Sequence, residues 1–267
     1  MTLVQRERTL IAILTGLMLM GVVVYGLNAA TGAQPRLMVA SVAFGLASLG
    51  HAIYMLGWQR ALTFFALTAC LSFLAESLSI ATCSVTCYYY TDALGPKLGA
   101  VPAVIPISWF TMIYASYVIV NLIAEGQPVS VKGNNVWVIW LALLTALVMT
   151  AWDLTLDPFM VQQEKAWVWP QGGEYFGIPL ANYVGWIETT FIIVLIYRLT
   201  ERTLPLKPLG RVTWLVAALP VLSYAASGLP DVWVGVPPAT QVLSPFAMGV
   251  AILAAAGRVW QMRRGQV

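Results

Sequence analysis

The chain has 267 residues, of which 60% are hydrophobic and only 9% charged, with a formal net charge of +3. An average soluble domain carries roughly 25% charged residues, so a water-facing globule, a disordered chain and a disulfide-built secreted module are excluded. The small positive charge is too little for tracking nucleic-acid phosphates, and one histidine with three cysteines argues against a His- or Cys-ligated metal centre.

Eight apolar stretches reach the ~20 residues that a bilayer crossing needs, near 9–30, 37–57, 61–82, 102–124, 137–158, 179–198, 211–230 and 239–260. This predicts an all-α fold: one integral membrane domain over 1–267, a bundle of about eight transmembrane helices. The first run is longer than a signal peptide's apolar core and lacks a cleavage site, so no removable leader is expected. With both termini cytoplasmic, the inner side holds Arg6, Arg8, Arg60, Lys132, Arg198, Arg202, Lys207, Arg211, Arg258, Arg263 and Arg264. Arg36, Lys97 and Lys165 remain outside, an eleven-to-three bias that an odd span count breaks. The expected location is the cell (inner) membrane, multi-pass. Asp92, Asp153, Asp157, Glu164, Glu174 and Asp231 lie in or beside outer segments. The inner half reads as almost free of polar residues, so chemistry is expected on the outer half.

The third span carries Glu76 six residues before its outer end, about 9 Å deep at ~1.5 Å per residue. Intramembrane acids face a bundle interior or a wet cavity. Glu76 is therefore either a hydrogen-bonded structural group or a proton donor. Glu188, inside the sixth span, invites the same question. His51, in the second span, reads as a hydrogen-bonded core residue ahead of a catalytic one. Cys83 and Cys87, four apart on a predicted helix, are poorly set for a disulfide and read as small unreactive residues.

The fifth span ends Ala151-Trp152-Asp153-Leu154-Thr155-Leu156-Asp157-Pro158. Asp153 and Asp157 share a helical face, and Pro158 is expected to end the span at Asp157. Two acids on one face can divide their roles, one holding a proton while the other is ionised. The competing reading is a solvated interfacial pair, or a weak echo of the aspartate clusters of membrane prenyltransferases. Many tryptophans lie near span ends, where an aromatic belt accounts for them.

Shifting the chain by 77 places Glu76 on Asp153, Gly95 on Gly172, Pro102 on Pro179 and Trp109 on Trp186. Four matches in so apolar a sequence are either chance or the mark of an internal hairpin repeat of 61–124 and 138–201, in which case the copies are related by an axis along the membrane normal.

Longer motifs surround these positions. They are Tyr88-Tyr89-Tyr90-Thr91-Asp92-Ala93-Leu94-Gly95-Pro96-Lys97, Val101-Pro102 and Ile105-Pro106-Ile107-Ser108-Trp109. In the second half they are Ala151-Trp152-Asp153, Leu156-Asp157-Pro158, Trp167-Val168-Trp169, Gly173-Glu174-Tyr175-Phe176-Gly177-Ile178-Pro179 and Asn182-Tyr183-Val184-Gly185-Trp186. Over roughly 45–200 the chain resembles the CruF-type carotenoid biosynthesis family of bisanhydrobacterioruberin hydratase-like carotenoid 1,2-hydratases. It departs from that pattern in carrying Cys83 and Cys87, where glycines precede the tyrosine cluster.

The resemblance implies a cofactor-independent membrane hydro-lyase that adds water to the terminal double bond of an acyclic carotenoid. The residues suit that chemistry: a buried acid can protonate an alkene, aromatic faces can stabilise a tertiary cation, and a second carboxylate can take a proton from water. On this reading Asp153 is the acid, Glu76 its partner and Asp157 a water-orienting base, with donor and base exchangeable. Trp152, Tyr90 and Trp186 form the cation-facing wall, and Trp109, Tyr175 and Asn182 shape the pocket. Expected partners are the acyclic carotenoid and membrane lipid, with no metal, cofactor or nucleic acid. A non-catalytic carotenoid-binding subunit and a proton-coupled transporter are the rival classes.

Overall fold

Helices follow the apolar runs in the computed structural model, which describes residues 3–31, 35–83, 85–129, 133–205, 207 and 213–265. Nine occur among the described residues. They are α1 (Leu3–Thr31), α2 (Pro35–Leu56), α3 (Trp58–Thr82), α4 (Ile105–Glu125), α5 (Asn135–Gln162), α6 (Leu180–Glu201), α7 (Trp214–Ser227), α8 (Leu229–Trp233) and α9 (Thr240–Arg263). Six of them, α2 to α6 and α9, are long and apolar enough to cross a membrane. The predicted spans near 9–30 and 211–230 correspond to shorter apolar helices, Arg8–Val24 and Trp214–Ser227. Arg211, Lys132 and the side chains of Arg6 and Arg36, on which part of the basic-residue bias rests, lie outside the described residues.

The bundle is built around α4, whose apolar window is 78% buried against 22% for α3 and for α9. It packs on α2, α3, α5, α7 and α9, while α1 lies across α2 and α7. At Gly45 of α2 a Cβ would meet Ile107 at 2.4 Å, so only glycine lets α2 approach α4 this closely. Helix ends obey ordinary capping chemistry. Asn134 accepts from Trp137 N at 2.9 Å to open α5, and the left-handed Gly126 closes α4 by bonding Leu122 O at 3.1 Å.

Pro158 does not end the fifth span. Helix α5 runs on to Gln162 with Pro158 inside it. A helical proline strands the carbonyl four residues earlier, here that of Leu154, and Tyr175 Oη donates to that oxygen at 2.9 Å. The same solution recurs in α7. Pro220 frees the Val216 carbonyl, which His51 Nε2 reaches at 2.9 Å while Nδ1 accepts from Tyr114 Oη at 2.7 Å. Both ring nitrogens of His51 are thus spent on a structural bond.

The connections α3–α4 and α5–α6 fold over one end of the bundle. Strand β1 (Tyr89–Tyr90) pairs antiparallel with β4 (Trp167–Val168), and β2 (Lys97–Leu98) with β3 (Val101–Pro102). Tyr175 bridges Ile178 in the second connection. That turn is tight enough that a Cβ on Gly173 would sit 2.1 Å from the Ile178–Pro179 backbone.

Candidate active site

Glu76 is buried on α3, six residues before that helix ends at Thr82. Three donors converge on it. Trp109 Nε1 reaches Oε1 at 3.0 Å, Tyr90 Oη reaches Oε2 at 2.9 Å, and Tyr88 Oη also donates to Oε2. Burial first, then the charge of Glu76, raises both loop phenols far above their usual value, so they stay protonated.

The tyrosines are aimed by the β1–β4 ribbon. Residues two apart on a strand share a face, so Tyr88 and Tyr90 look inward while Tyr89 is 50% exposed. Across the ribbon Tyr90 meets Trp167 at 5.8 Å between centroids and Tyr88 meets Trp169 at 5.5 Å. Trp169 is held in turn by Thr86, whose Oγ1 accepts from Nε1 at 3.0 Å.

On α5, Asp153 and Asp157 are both buried. Asn182 Nδ2 donates to Asp157 Oδ2 at 2.8 Å, whereas no donor reaches either Asp153 oxygen. Trp186 stacks on Trp109 at 4.1 Å and meets Trp152 edge-on at 6.4 Å. Trp152 Nε1 is buried and has no acceptor.

One cavity of about 120 Å³ collects most of these groups: Glu76, Asp157, Tyr90, Trp109, Trp152, Asn182 and Trp186 all line it. Of the residues expected from sequence, two do not. Asp153 stands one turn behind Asp157, and Tyr175 is occupied with the α5 backbone. Tyr88, Trp167 and Trp169 also line the cavity and were missed as site residues. Their signal was the alternation in Tyr88-Tyr89-Tyr90 and Trp167-Val168-Trp169, which the helical reading passed over. Glu188 is exposed on the bundle surface, away from the cavity.

Two expectations are corrected here. Cys83 and Cys87 form a disulfide, with Cα atoms 4.5 Å apart. The helical-spacing objection fails because α3 stops at Thr82 and Cys83 turns left-handed, at φ 51°. The bridge therefore closes a loop that leads into Thr86 and Tyr88. Nor is the other half of the bundle almost free of polar groups. Arg198, counted as a basic residue at the inner end of the sixth span, is buried, with Nη2 on Asn121 Oδ1 at 2.9 Å and its guanidinium 4.4 Å from the Tyr117 ring centroid. Tyr117 donates to Glu201 at 2.8 Å, and buried Arg60 donates to Leu204 O at 2.8 Å. Position at the end of a span says nothing about which way a long side chain points, and these turn inward.

A helical membrane bundle enclosing an apolar cavity with carboxylates in its wall defines the class: an integral membrane protein with an apolar, acid-bearing site. The chain belongs to the carotenoid biosynthesis protein family, whose profile matches residues 34–256. No curated protein matches significantly, and no solved structure does.

Proposed function

We propose that the protein is a carotenoid 1,2-hydratase, adding water across the terminal C1–C2 double bond of an acyclic carotenoid. The observation that carries this reading is the pairing of unlike carboxyl environments around one aromatic cavity. Glu76 has three donors and Asp157 one, while Asp153 has none. Trp109 Nε1 can only donate, so Glu76 is fitted to be an anion. A buried carboxyl with no donor is tolerated only when neutral, so Asp153 is the proton store, and Asp157, which faces the cavity, delivers the proton. C2 gains that proton and C1 becomes a tertiary cation faced by the Trp109, Trp152 and Trp186 rings. Water adds to C1, and its surplus proton passes to Glu76, from which exchange restores the aspartate pair. The free Trp152 N–H supplies a donor for the water oxygen.

The reading extends to architecture. It takes residues 61–124 and 138–201 as two copies of one hairpin, eight spans in the inner membrane, and the site toward the outer face. Support for the repeat comes from residues 77 apart that meet: Tyr90 pairs with Trp167, Trp109 stacks on Trp186, and Asn121 binds Arg198. The bridge Leu98–Val101 also maps onto Tyr175–Ile178 at the same offset.

The test is pigment analysis after expression in cells that accumulate lycopene, where a product heavier by one water is expected. Bound pigment without hydrated product, under conditions where a known hydratase works, would favour a carotenoid-binding subunit instead.

A further inference from the structure

The Cys83–Cys87 disulfide has no part in the chemistry proposed above, yet it lies between two groups that this chemistry joins. Cys83 is fixed to the helix of Glu76. It follows Thr82, the last residue of α3, and its N–H bonds Ser79 O at 2.9 Å. Cys87 directly precedes Tyr88, the phenol that donates to Glu76 Oε2. It directly follows Thr86, which accepts from Trp169 Nε1 at 3.0 Å. Cys83 stands seven residues beyond Glu76, about 10 Å along the helix at ~1.5 Å per residue. The chain leaving α3 must therefore double back before Tyr88 can reach Glu76. The left-handed turn at Cys83 begins that reversal, and the bridge closes it, with the two Cα atoms 4.5 Å apart. Four residues left to extend would span up to ~14 Å. Little else restrains them. The ribbon starts only at Tyr89, and among the described residues no backbone hydrogen bond holds 85–88.

We propose that the Cys83–Cys87 disulfide is a positioning element for Tyr88, and that its reduction by a dithiol withdraws this phenol from Glu76 and turns the site down. The proposal rests on the hydratase reading for the identity of the reaction, but not for the movement of Tyr88. Cys83 is exposed and Val85 beside it is 42% exposed, whereas Cys87 is half-buried. Cys83 is thus the half of the bridge open to attack. A thiolate of the dithiol bonds to Cys83 Sγ, and the S–S bond breaks with its electron pair leaving on Cys87 Sγ, which takes a proton. The second thiol of the reagent then displaces Cys83 as a thiol. The protein gains two thiols and the reagent becomes a cyclic disulfide. Tyr90 is anchored independently, by the pairing with Trp167 and by Lys97 Nζ on its carbonyl at 2.9 Å. Glu76 therefore keeps Tyr90 and Trp109 after reduction, so the device attenuates the site without dismantling it. Disulfides persist on the oxidising side of a membrane, so the bridged form is the one expected where the proposed site faces outward.

The test uses the full-length protein in nanodiscs, before and after treatment with dithiothreitol, with alkylation of two new thiols as proof of reduction. Reduction is expected to lower kcat for an acyclic polyene about tenfold or more with KM unchanged, and reoxidation to restore it. Tyr88→Phe, already without the phenol, should lose nothing further on reduction, whereas a bridge that only stabilises the fold would affect both proteins alike. Cys70→Ser, which removes the free exposed thiol, should keep the full response. An unchanged kcat on reduction, or an equal loss in Tyr88→Phe, overturns the proposal. Failure of the dithiol to open the bridge in the folded protein overturns it as well. Fluorine NMR of a fluorotyrosine in place of Tyr88 reads the movement without any turnover. Its resonance should shift toward that of a solvated phenol on reduction and return on reoxidation, and an unmoved resonance overturns the proposal. If the resonance moves while the oxidised, unmutated protein hydrates no polyene, the hydratase reading fails and the positioning of Tyr88 by the bridge stands.

Discussion

Trp109 and Trp186 stack with ring centroids 4.1 Å apart and planes 9° from parallel. One partner is also the indole donor to Glu76, and the other touches Trp152. The stack thus ties the candidate base to the wall that would face a cation. Trp186→Leu is expected to lower hydration rate by about 1–2 kcal/mol of barrier while leaving pigment binding intact. A rate equal to wild type in a turnover assay would remove the ring from the chemistry.

The carboxyls should separate by role. Glu76→Gln keeps the shape and loses the charge that three donors are arranged around; Asp157→Asn loses the proton offered to the cavity. Both are expected to abolish turnover with retained membrane expression. Asp153→Asn should slow it by roughly 10²-fold or more, since Asp157 is left without its proton store. Full activity in both Glu76→Gln and Asp157→Asn would end the two-carboxyl scheme.

Tyr88→Phe removes one of the two phenols on Glu76 Oε2 but keeps the contact with Trp169. The anion loses a charge-assisted hydrogen bond, which corresponds to about 1.5–3 kcal/mol. Turnover at saturating substrate should fall while KM holds, because the lost hydroxyl is bound to Glu76 and the ring that lines the cavity is kept. A change confined to KM would place Tyr88 on the substrate instead.

Tyr175→Phe tests a structural claim. Without its hydroxyl, the Leu154 carbonyl freed by Pro158 has no donor, and a buried unsatisfied carbonyl costs about 1–3 kcal/mol. Thermal stability in detergent should drop, and Pro158→Ala in the same background should restore it by returning the helical N–H. If Tyr175→Phe melts with wild type, the proline is tolerated for another reason.

Asp231, in the short α8 beyond α7, is fully buried, and that burial pushes its carboxyl from 3.8 up to about 7. A folded-state value above the unfolded one means the fold prefers the protonated acid. Its contribution is therefore complete below about 4 and is lost as pH rises through about 7. Relative to Asp231→Asn, wild type should lose stability across that window, by about 1–4 kcal/mol in all. Melting curves for the two proteins that stay parallel from acid to neutral pH would contradict this.

The bundle and half of its site could be read from residues alone because both rest on local chemistry. Apolar runs of fixed length give the helices, and a carboxylate inside such a run marks itself by its cost, as Glu76 and Asp157 do. What could not be read depended on distant partners. Pro158 looks like a terminus until Tyr175 is seen closing its gap. Arg198 looks like one more inner-side charge at the end of a span until Asn121 and Tyr117 are found beside it. The Cys83–Cys87 bridge required knowing that the chain turns left-handed at Cys83, directly after α3, so that the two cysteines do not sit on one helix. Tyr88 and Trp169 were hidden by scale, since a strand of two residues leaves only one alternation to notice.

The site sits at one end of the bundle, where the β1–β4 ribbon covers it, and its cavity extends from there along α2 past Leu37, Ala40 and Phe44. On the proposed reaction every new hydroxyl is therefore made at the same interface, with its hydrocarbon already pointing across the bilayer. A product released sideways enters the lipid as an oriented amphiphile, anchored by one headgroup-like end. The rigid polyene then lies across the leaflet instead of wandering in the midplane, and a second hydration would fasten it at the other end only after the molecule has turned over. The position of one loop would thus set not only where water is added but how the pigment stiffens the membrane that holds it.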